Sequence, residues 1–258
     1  MPTLEIHQIP TRKDNYVYLL RDPATGKVAA VDPSDAAPVI ARLESLGWKL
    51  DEILATHHHN DHVGGVPELK DRYNCTVIGP RADHDRIPRI DKDVGDGDLH
   101  RLGAAEARVF DTPGHTRGHI SYWFPESKAL FCGDTLFLMG CGRVFEGTMP
   151  MMWESLSKYE VLPDDTRVFC AHEYTQANAR FAVTVEPGNA ALVARSKAID
   201  AAREKNLSTV PATMGEERAT NPFLRPKLPE FRKSVGMADA SPAEVFGAIR
   251  TRKDNFKG

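Results

Sequence analysis

The hydrophobic pattern divides the chain into a mixed first part and a helical remainder. Short β-rich runs occupy Leu4 to Ile9, Tyr16 to Leu20 and Val28 to Val31, and a helical repeat follows from Ala36 to Leu46. Asp35 before that helix and Gly47 after it are residue types that bound helices. A further strand, Glu52 to Ala55, runs directly into a histidine-rich segment; Pro67 to Tyr73 reads as helix and Cys75 to Ile78 as strand. Beyond a loop rich in Asp and Arg (Arg81 to Asp98), strands are predicted at Ala107 to Phe110, Ile120 to Phe124, Ala129 to Cys132 and Arg167 to Cys170. From about Tyr174 the β-runs stop. Helices are predicted over Thr175 to Val185, Asn189 to Glu204 and Ser241 to Asp254, broken up by Pro187-Gly188, Pro211, Pro222, Pro226 and Pro229. The switch predicts two domains, residues 1–173 and 174–258.

Composition adds limits rather than detail. With 258 residues, 41% hydrophobic and 27% charged, the chain can bury one large core plus a small appended domain, and disorder or coiled coil is excluded. A net charge of −3 provides no electrostatic footprint for a polyanion, so no nucleic-acid partner is expected. The N-terminus has neither a basic region nor a long apolar one, and no later run is apolar enough to span a bilayer. A cytoplasmic protein with no membrane partner is expected. Cys75, Cys132, Cys141 and Cys170 form no CxxC pair and read as reduced, buried thiols.

The chemistry gathers where strands end. Thr56-His57-His58-His59-Asn60-Asp61-His62 follows a strand directly, and in an extended stretch His57 and His59 point the same way, toward one metal, while Asp61 and His62 turn toward a second. His115 in Thr-Pro-Gly-His, Asp134 in Cys-Gly-Asp-Thr and His172 in Cys-Ala-His-Glu-Tyr complete the set. Neutral imidazoles bind zinc or iron without cancelling its charge, and a carboxylate can bridge two cations. His58 and His62 have the spacing of a helical zinc pair, but Gly64, Gly65 and Pro67 oppose a helix through the whole cluster. A metal-free cluster leaves the strand-end His and Asp residues unexplained. His119, four residues after His115, is a candidate for orienting a ligand from outside the metal's own shell and is not counted as a ligand. His7, His84 and His100 are expected to be surface or core residues.

At these residues the sequence resembles the metallo-β-lactamase superfamily, whose T-H-x-H-x-D-H motif matches Thr56 to His62, with Thr-Pro-Gly-His115-Thr-Arg-Gly-His119, Gly133-Asp134-Thr135 and His172 following in order. The resemblance implies an α+β fold, a four-layer αββα sandwich with the site at one edge of the paired sheets. Over nearly its full length the chain is similar to the glyoxalase II (hydroxyacylglutathione hydrolase) family. The segments that carry this are Gly140 to Thr148, His172-Glu173-Tyr174-Thr175, Val185 to Asn189, Thr220-Asn221-Pro222-Phe223 and Arg250 to Asp254. The family pattern implies one divalent ion on His57, His59 and His115, a second on Asp61, His62 and His172, and Asp134 as bridge. Zinc is the first expectation, and iron or manganese fit the same ligands. It also implies a helical glutathione-binding domain, with Arg143, Tyr174, Arg250 and Lys253 in substrate binding. Phe145 stands where tyrosine is common, and Arg143 where lysine is common.

The reaction implied is hydrolysis of S-D-lactoylglutathione to D-lactate and glutathione, as in methylglyoxal detoxification. A metal-bound hydroxide attacks the thioester, with Asp61 and Asp134 as the catalytic carboxylates. Two alternatives share the residues: a glutathione persulfide dioxygenase with a single iron on His57, His59 and His115, and a non-catalytic metal-binding protein. The expected partner is the small-molecule thioester, and the expected state a monomer.

Overall fold

The computed structural model describes residues 3–257, which fall into two compact units. The first runs to Asp111 and includes Arg117–Gly133; the second comprises Thr112–Thr116 and the chain from Asp134 onward.

In the first unit one sheet is built from β1 (Glu5–Thr11), β2 (Asn15–Arg21), β3 (Val28–Val31), β4 (Glu52–Leu54), β5 (Thr76–Pro80) and β6 (Lys92–Val94), in that order. β1, β2 and β3 pair antiparallel, and β3 to β6 parallel. Parallel neighbours need a crossover. α1 (Ala36–Leu46) makes the first, and α2 (Asn60–Val63) with α3 (Val66–Tyr73) the second. The C-terminal ends of β3 and β4 are therefore adjacent, and in parallel sheets that is where functional side chains collect. A meander of β7 (Leu99–Leu102), β8 (Ala105–Asp111), β9 (Ile120–Phe124) and β10 (Ala129–Gly133) forms antiparallel pairs.

β2 shows why its sequence reads as continuously apolar rather than alternating. Val17 and Leu19 join Val39, Leu43 and Leu69 of α1 and α3 in one core, while Tyr18 on the other face packs 5.5 Å from Phe131 of β10. A strand covered on both faces loses its polar positions. The meander also grips the chain leaving β4: Ile120 N donates to Thr56 O (2.9 Å) and Tyr122 Oη to Ala55 O (3.1 Å).

The second unit holds a two-residue-strand hairpin, β11 (Leu136–Phe137) with β12 (Gly140–Cys141), and the antiparallel pair β13 (Arg167–Cys170) and β14 (Ala212–Thr213). Its helices are α4 (Met149–Ser157), α5 (Thr175–Val185), α6 (Ala190–Glu204), α7 (Met214–Thr220), α8 (Pro229–Ser234) and α9 (Pro242–Asp254). Thr213 and Ser241 close capping boxes with Glu216 and Glu244, which fixes where α7 and α9 start. Phe246 of α9 packs on Trp153 of α4 (6.1 Å) and on Phe223 (5.9 Å).

Several expectations needed correction. The β-runs do not stop at Tyr174, because β14 pairs with β13. The Arg81 to Asp98 loop contains a 3-10 turn, Arg81–Arg86, and β6. β7, the β11–β12 hairpin, α4, α7 and α8 were not visible in the pattern. Two- to four-residue strands contain too few positions to show a period, and Pro150, which reads as a breaker, occupies the first turn of α4, where proline is tolerated. Among the described residues, no helix is long and apolar enough to cross a membrane.

Candidate metal centre

The first unit supplies four of the expected ligands from one loop. The chain bends at Thr56 and His57 after β4 and then makes the single turn α2. In this bent segment His57 Nε2 and His59 Nδ1 lie 3.1 Å apart. Two nitrogens held at ~2.0–2.1 Å by one tetrahedral ion are separated by about 3.3 Å, so this pair has the spacing of two ligands of one ion. The helical turn then places Asp61 Oδ2 3.7 Å from His62 Nε2. Asn15 Nδ2 donates to Asp61 O (3.0 Å) and Oδ2 (3.3 Å).

Asp32, at the end of β3, decides which ring nitrogens are available, and sequence reasoning missed it. Its Oδ1 accepts Thr56 N–H (2.7 Å), and its Oδ2 accepts Thr56 Oγ1–H (2.7 Å) and His62 Nδ1–H (3.0 Å). A carboxylate only accepts, so the His62 proton sits on Nδ1 and the Nε2 lone pair turns toward Asp61. The Thr56 hydroxyl donates its only proton to Asp32 and therefore accepts from His57 Nδ1 (3.0 Å), which leaves His57 Nε2 as the ligand atom. Asp32, His57 and His62 offer ligand atoms within 4.8 Å of one another. The only sequence signal was an aspartate ending the apolar run Val28 to Val31. Gly133 closes over this network at φ +46°, and a Cβ there would meet Thr56 Oγ1 at 2.4 Å and His119 Nε2 at 2.7 Å.

The second unit brings His115, Asp134 and His172 together. His115 Nδ1 donates to Arg143 O (2.8 Å), turning Nε2 to within 3.3 Å of Asp134 Oδ2. His172 Nε2 lies 3.4 Å from Asp134 Oδ1. One buried carboxylate thus faces two buried imidazoles through different oxygens. Gly142 makes the close approach possible, since a Cβ there would fall 1.9 Å from Asp134 O.

The expected substrate residues share this unit. The Tyr174 ring stacks on His172 (4.7 Å, 3°), and the exposed Phe145 ring lies 5.2 Å from that of His115. Arg143 Nε and Arg250 Nη2 both donate to Asp254 Oδ1 (3.2 and 2.8 Å), and Arg250 Nη1 also donates to Cys141 O (2.9 Å). Arg250 is buried, 6% exposed, whereas the Arg143 side chain is 54% exposed. Lys253 Nζ donates to Ala177 O (3.1 Å) and sits over the rings of Phe181 and Phe256. Its half-buried setting, with Arg250 adding to it, holds its pKa down at about 8. Two arginines on one carboxylate leave an excess of positive charge.

The other histidines have partners of their own. His119 stacks on His57 (4.7 Å, 26°). His58 Nδ1 donates to the buried Asp83 (2.9 Å), with Arg86 closing the group. His7 pairs with Glu5, His84 with Asp93, and buried His100 with Glu52. All four cysteines are buried thiols outside any disulfide; burial pushes the thiols of Cys141 and Cys170 up to about 11 and about 12.

The donor set suits a divalent ion. Neutral imidazoles with the far nitrogen held by a carboxylate, hydroxyl or carbonyl, next to carboxylates that are themselves held, is how metal-binding proteins orient their ligands. Asp32, Thr56 and the Arg143 carbonyl supply those second contacts.

Comparison with known proteins gives the same result. Residues 11–172 match the family model of the metallo-beta-lactamase superfamily, and residues 173–256 that of the hydroxyacylglutathione hydrolase C-terminus. Hydroxyacylglutathione hydrolases from Methylococcus capsulatus and Rhodospirillum rubrum are 56% and 54% identical, each over 99% of this chain and 100% of the relative. The crystal structure of ETHE1 from Myxococcus xanthus superposes with a TM-score of 0.70 at 25% identity, covering 98% of this chain and 92% of that one. The α+β fold is thus the metallo-β-lactamase fold with a helical C-terminal segment. The chain belongs to the hydroxyacylglutathione hydrolase family of the metallo-β-lactamase superfamily.

Proposed function

We propose that the chain hydrolyses S-D-lactoylglutathione to D-lactate and glutathione, acting as a cytoplasmic monomer with two divalent ions, zinc foremost and iron or manganese as substitutes. His57, His59 and His115 would hold one ion and Asp61, His62 and His172 the other, with Asp134 as the carboxylate shared between them. Residues 1–173 form the catalytic domain and 174–258 the glutathione-binding domain, a division supported by the two family matches meeting between residues 172 and 173. The observation that carries the reading is the company kept by Asp134. The unit that sets it between two imidazoles also joins Arg143 and Arg250 on Asp254, with Lys253 beside Asp254 in the same helix. A generic metallohydrolase has no need of that cationic group, but a glutathione thioester carries carboxylates that it can bind.

Bound divalent ions supply Lewis acidity and lower the pKa of water from ~15.7 toward ~7. Asp61, held by Asn15, would in addition orient the attacking oxygen. Arg143 and Lys253 pair with the glycine carboxylate of glutathione, and Arg250 holds Asp254 and Cys141 so that the site keeps its shape. The Tyr174 hydroxyl bonds the peptide part of the substrate, and Phe145 presents a ring without a hydroxyl. The departing thiol has an ordinary pKa near ~8.5, so it leaves as thiolate without a general acid.

The test measures kcat/KM for S-D-lactoylglutathione and for an analogue lacking the glycine carboxylate, using metal-loaded wild type, Lys253→Met and Asp134→Ala. The wild type is expected to prefer the full thioester, Lys253→Met to lose most of that preference, and Asp134→Ala to lose metal and activity together. Equal use of both thioesters by the wild type removes glutathione from the account, and full turnover by metal-depleted protein removes the metals.

A further inference from the structure

The β11–β12 hairpin is a buried turn, and its backbone is satisfied from the helices. Leu138 and Met139, at its tip, are 1% and 0% exposed, and Met139 is left-handed at φ 61°, a conformation that a residue with a Cβ keeps only when its surroundings hold it. Water cannot reach such a turn, so each backbone polar group needs a protein partner. Asn221, at the end of α7, places Nδ2 among three acceptors, Phe137 O (3.1 Å), Gly140 O (2.9 Å) and Glu217 Oε2 (2.9 Å), so that one of its two N–H groups is shared. Asn178 of α5 donates to Leu138 O (3.2 Å), and Glu217 of α7 accepts Met139 N–H (2.9 Å). Glu217 is wholly buried and is itself held by Asn221 Nδ2 (2.9 Å) and Arg195 Nη2 (2.5 Å).

The hairpin is the short link between two groups of the metal centre. Asp134 precedes it by two residues and Arg143 follows it by two. The Asp134 carboxylate faces His115 and His172, and the Arg143 carbonyl fixes the His115 ring. Gly142 N also donates to Thr135 O (3.1 Å), so the two ends are clasped together and a displacement of the turn is carried to both.

We propose that Asn221 and Glu217 are positioning residues of the metal centre, setting the Leu136–Cys141 turn so that Asp134 and the Arg143 carbonyl meet the two histidines. This gives a task to the Thr220-Asn221-Pro222-Phe223 segment, and it rests on the reading of Asp134 as a metal ligand.

The experiment compares full-length wild type with Asn221→Ala, Glu217→Gln and Arg225→Gln. Arg225 bonds both oxygens of Glu186 (2.8 and 2.9 Å), an ion pair of the same helical segment that does not reach the turn. Zinc dissociation constants come from competition with a chromophoric chelator at 25 °C, thermal midpoints from far-UV circular dichroism, and kcat and KM from thioester turnover. Asn221→Ala is expected to weaken zinc binding by about 10- to 100-fold, and to lower kcat more than it raises KM. Glu217→Gln keeps one acceptor for Met139 N–H and is expected to weaken binding less. Arg225→Gln is expected to lower the midpoint while keeping zinc affinity within about twofold. Asn221→Ala that is folded and binds zinc within about twofold of wild type overturns the proposal, as does zinc loss that tracks the midpoint equally in Arg225→Gln. Should Asn221→Ala fail to fold, Glu217→Gln and Asn178→Ala decide the same comparison. A wild type that binds zinc but turns over no thioester refutes the proposed reaction alone, and the affinity ratios still decide the positioning role. A wild type that binds no divalent ion overturns both.

Discussion

Replacing Asp32 by asparagine is the sharpest test of how the first unit prepares its histidines. The substitution changes almost no volume but exchanges one acceptor oxygen for an NH2 group. Oδ1 can still take Thr56 N–H; the other position, which now accepts the Thr56 hydroxyl at 2.7 Å and His62 Nδ1 at 3.0 Å, becomes a donor. Hydrogen bonds to a charged acceptor contribute about 1.5–3 kcal/mol each. The hydroxyl can rotate and accept instead, so one such bond is lost outright and the expected destabilisation is about 2–3 kcal/mol. The functional effect is larger. To relieve the clash of donors, His62 must move its proton to Nε2, the nitrogen that faces Asp61 at 3.7 Å, and a protonated nitrogen cannot bind a metal. Affinity at the ion using His62 should fall by about 10- to 100-fold, the usual effect of removing such an orienting partner. Chelator competition measures that affinity, and urea denaturation of metal-free protein measures the stability change independently. A variant with wild-type zinc affinity and stability within about 0.5 kcal/mol would refute the tautomer argument.

Lys253 gives a pH signature. Burial and Arg250 hold its pKa down at about 8, against 10.5 for a free lysine. The protonated form binds carboxylate, so KM for the glutathione thioester should rise as pH passes through about 8, and in Lys253→Met that rise should vanish; an unchanged profile argues against contact with substrate. For stability the sign is opposite. Between about 8 and 10.5 the unfolded chain binds the proton more tightly, so Lys253 lets stability rise with pH across that window, which denaturation at several pH values measures. Gly142→Ala would force a Cβ to 1.9 Å from Asp134 O, and loss of bound metal by elemental analysis is the expected result. Phe246→Ala removes a fully buried ring between Trp153 and Phe223 and should cost about 3–5 kcal/mol in urea denaturation.

The expected ligands and the long elements were legible because their signals are local. β3, β9, β13, α1 and α5 have the bounds that periodicity predicts, since each is long or apolar enough to show its period and is closed by residues such as Gly47. The α+β class and the relation to the hydroxyacylglutathione hydrolases likewise follow from residues that need no partner to be recognised, the His57 to His62 run above all. The small elements were not legible. β14 exists because β13 offers an edge, and the β11–β12 turn because Asn178, Glu217 and Asn221, 40 to 84 residues away, satisfy it. Asp32 is the clearest case. By sequence it is one of 36 acidic residues ending an ordinary strand, and it reaches His62 because β3 and β4 run parallel and side by side. The sequence by itself thus determined which side chains carry donor atoms suited to a metal, because donor chemistry belongs to the residue. Tertiary structure alone decided which nitrogen of each ring faces inward and which loop is held still, because those depend on hydrogen bonds between segments far apart in the chain.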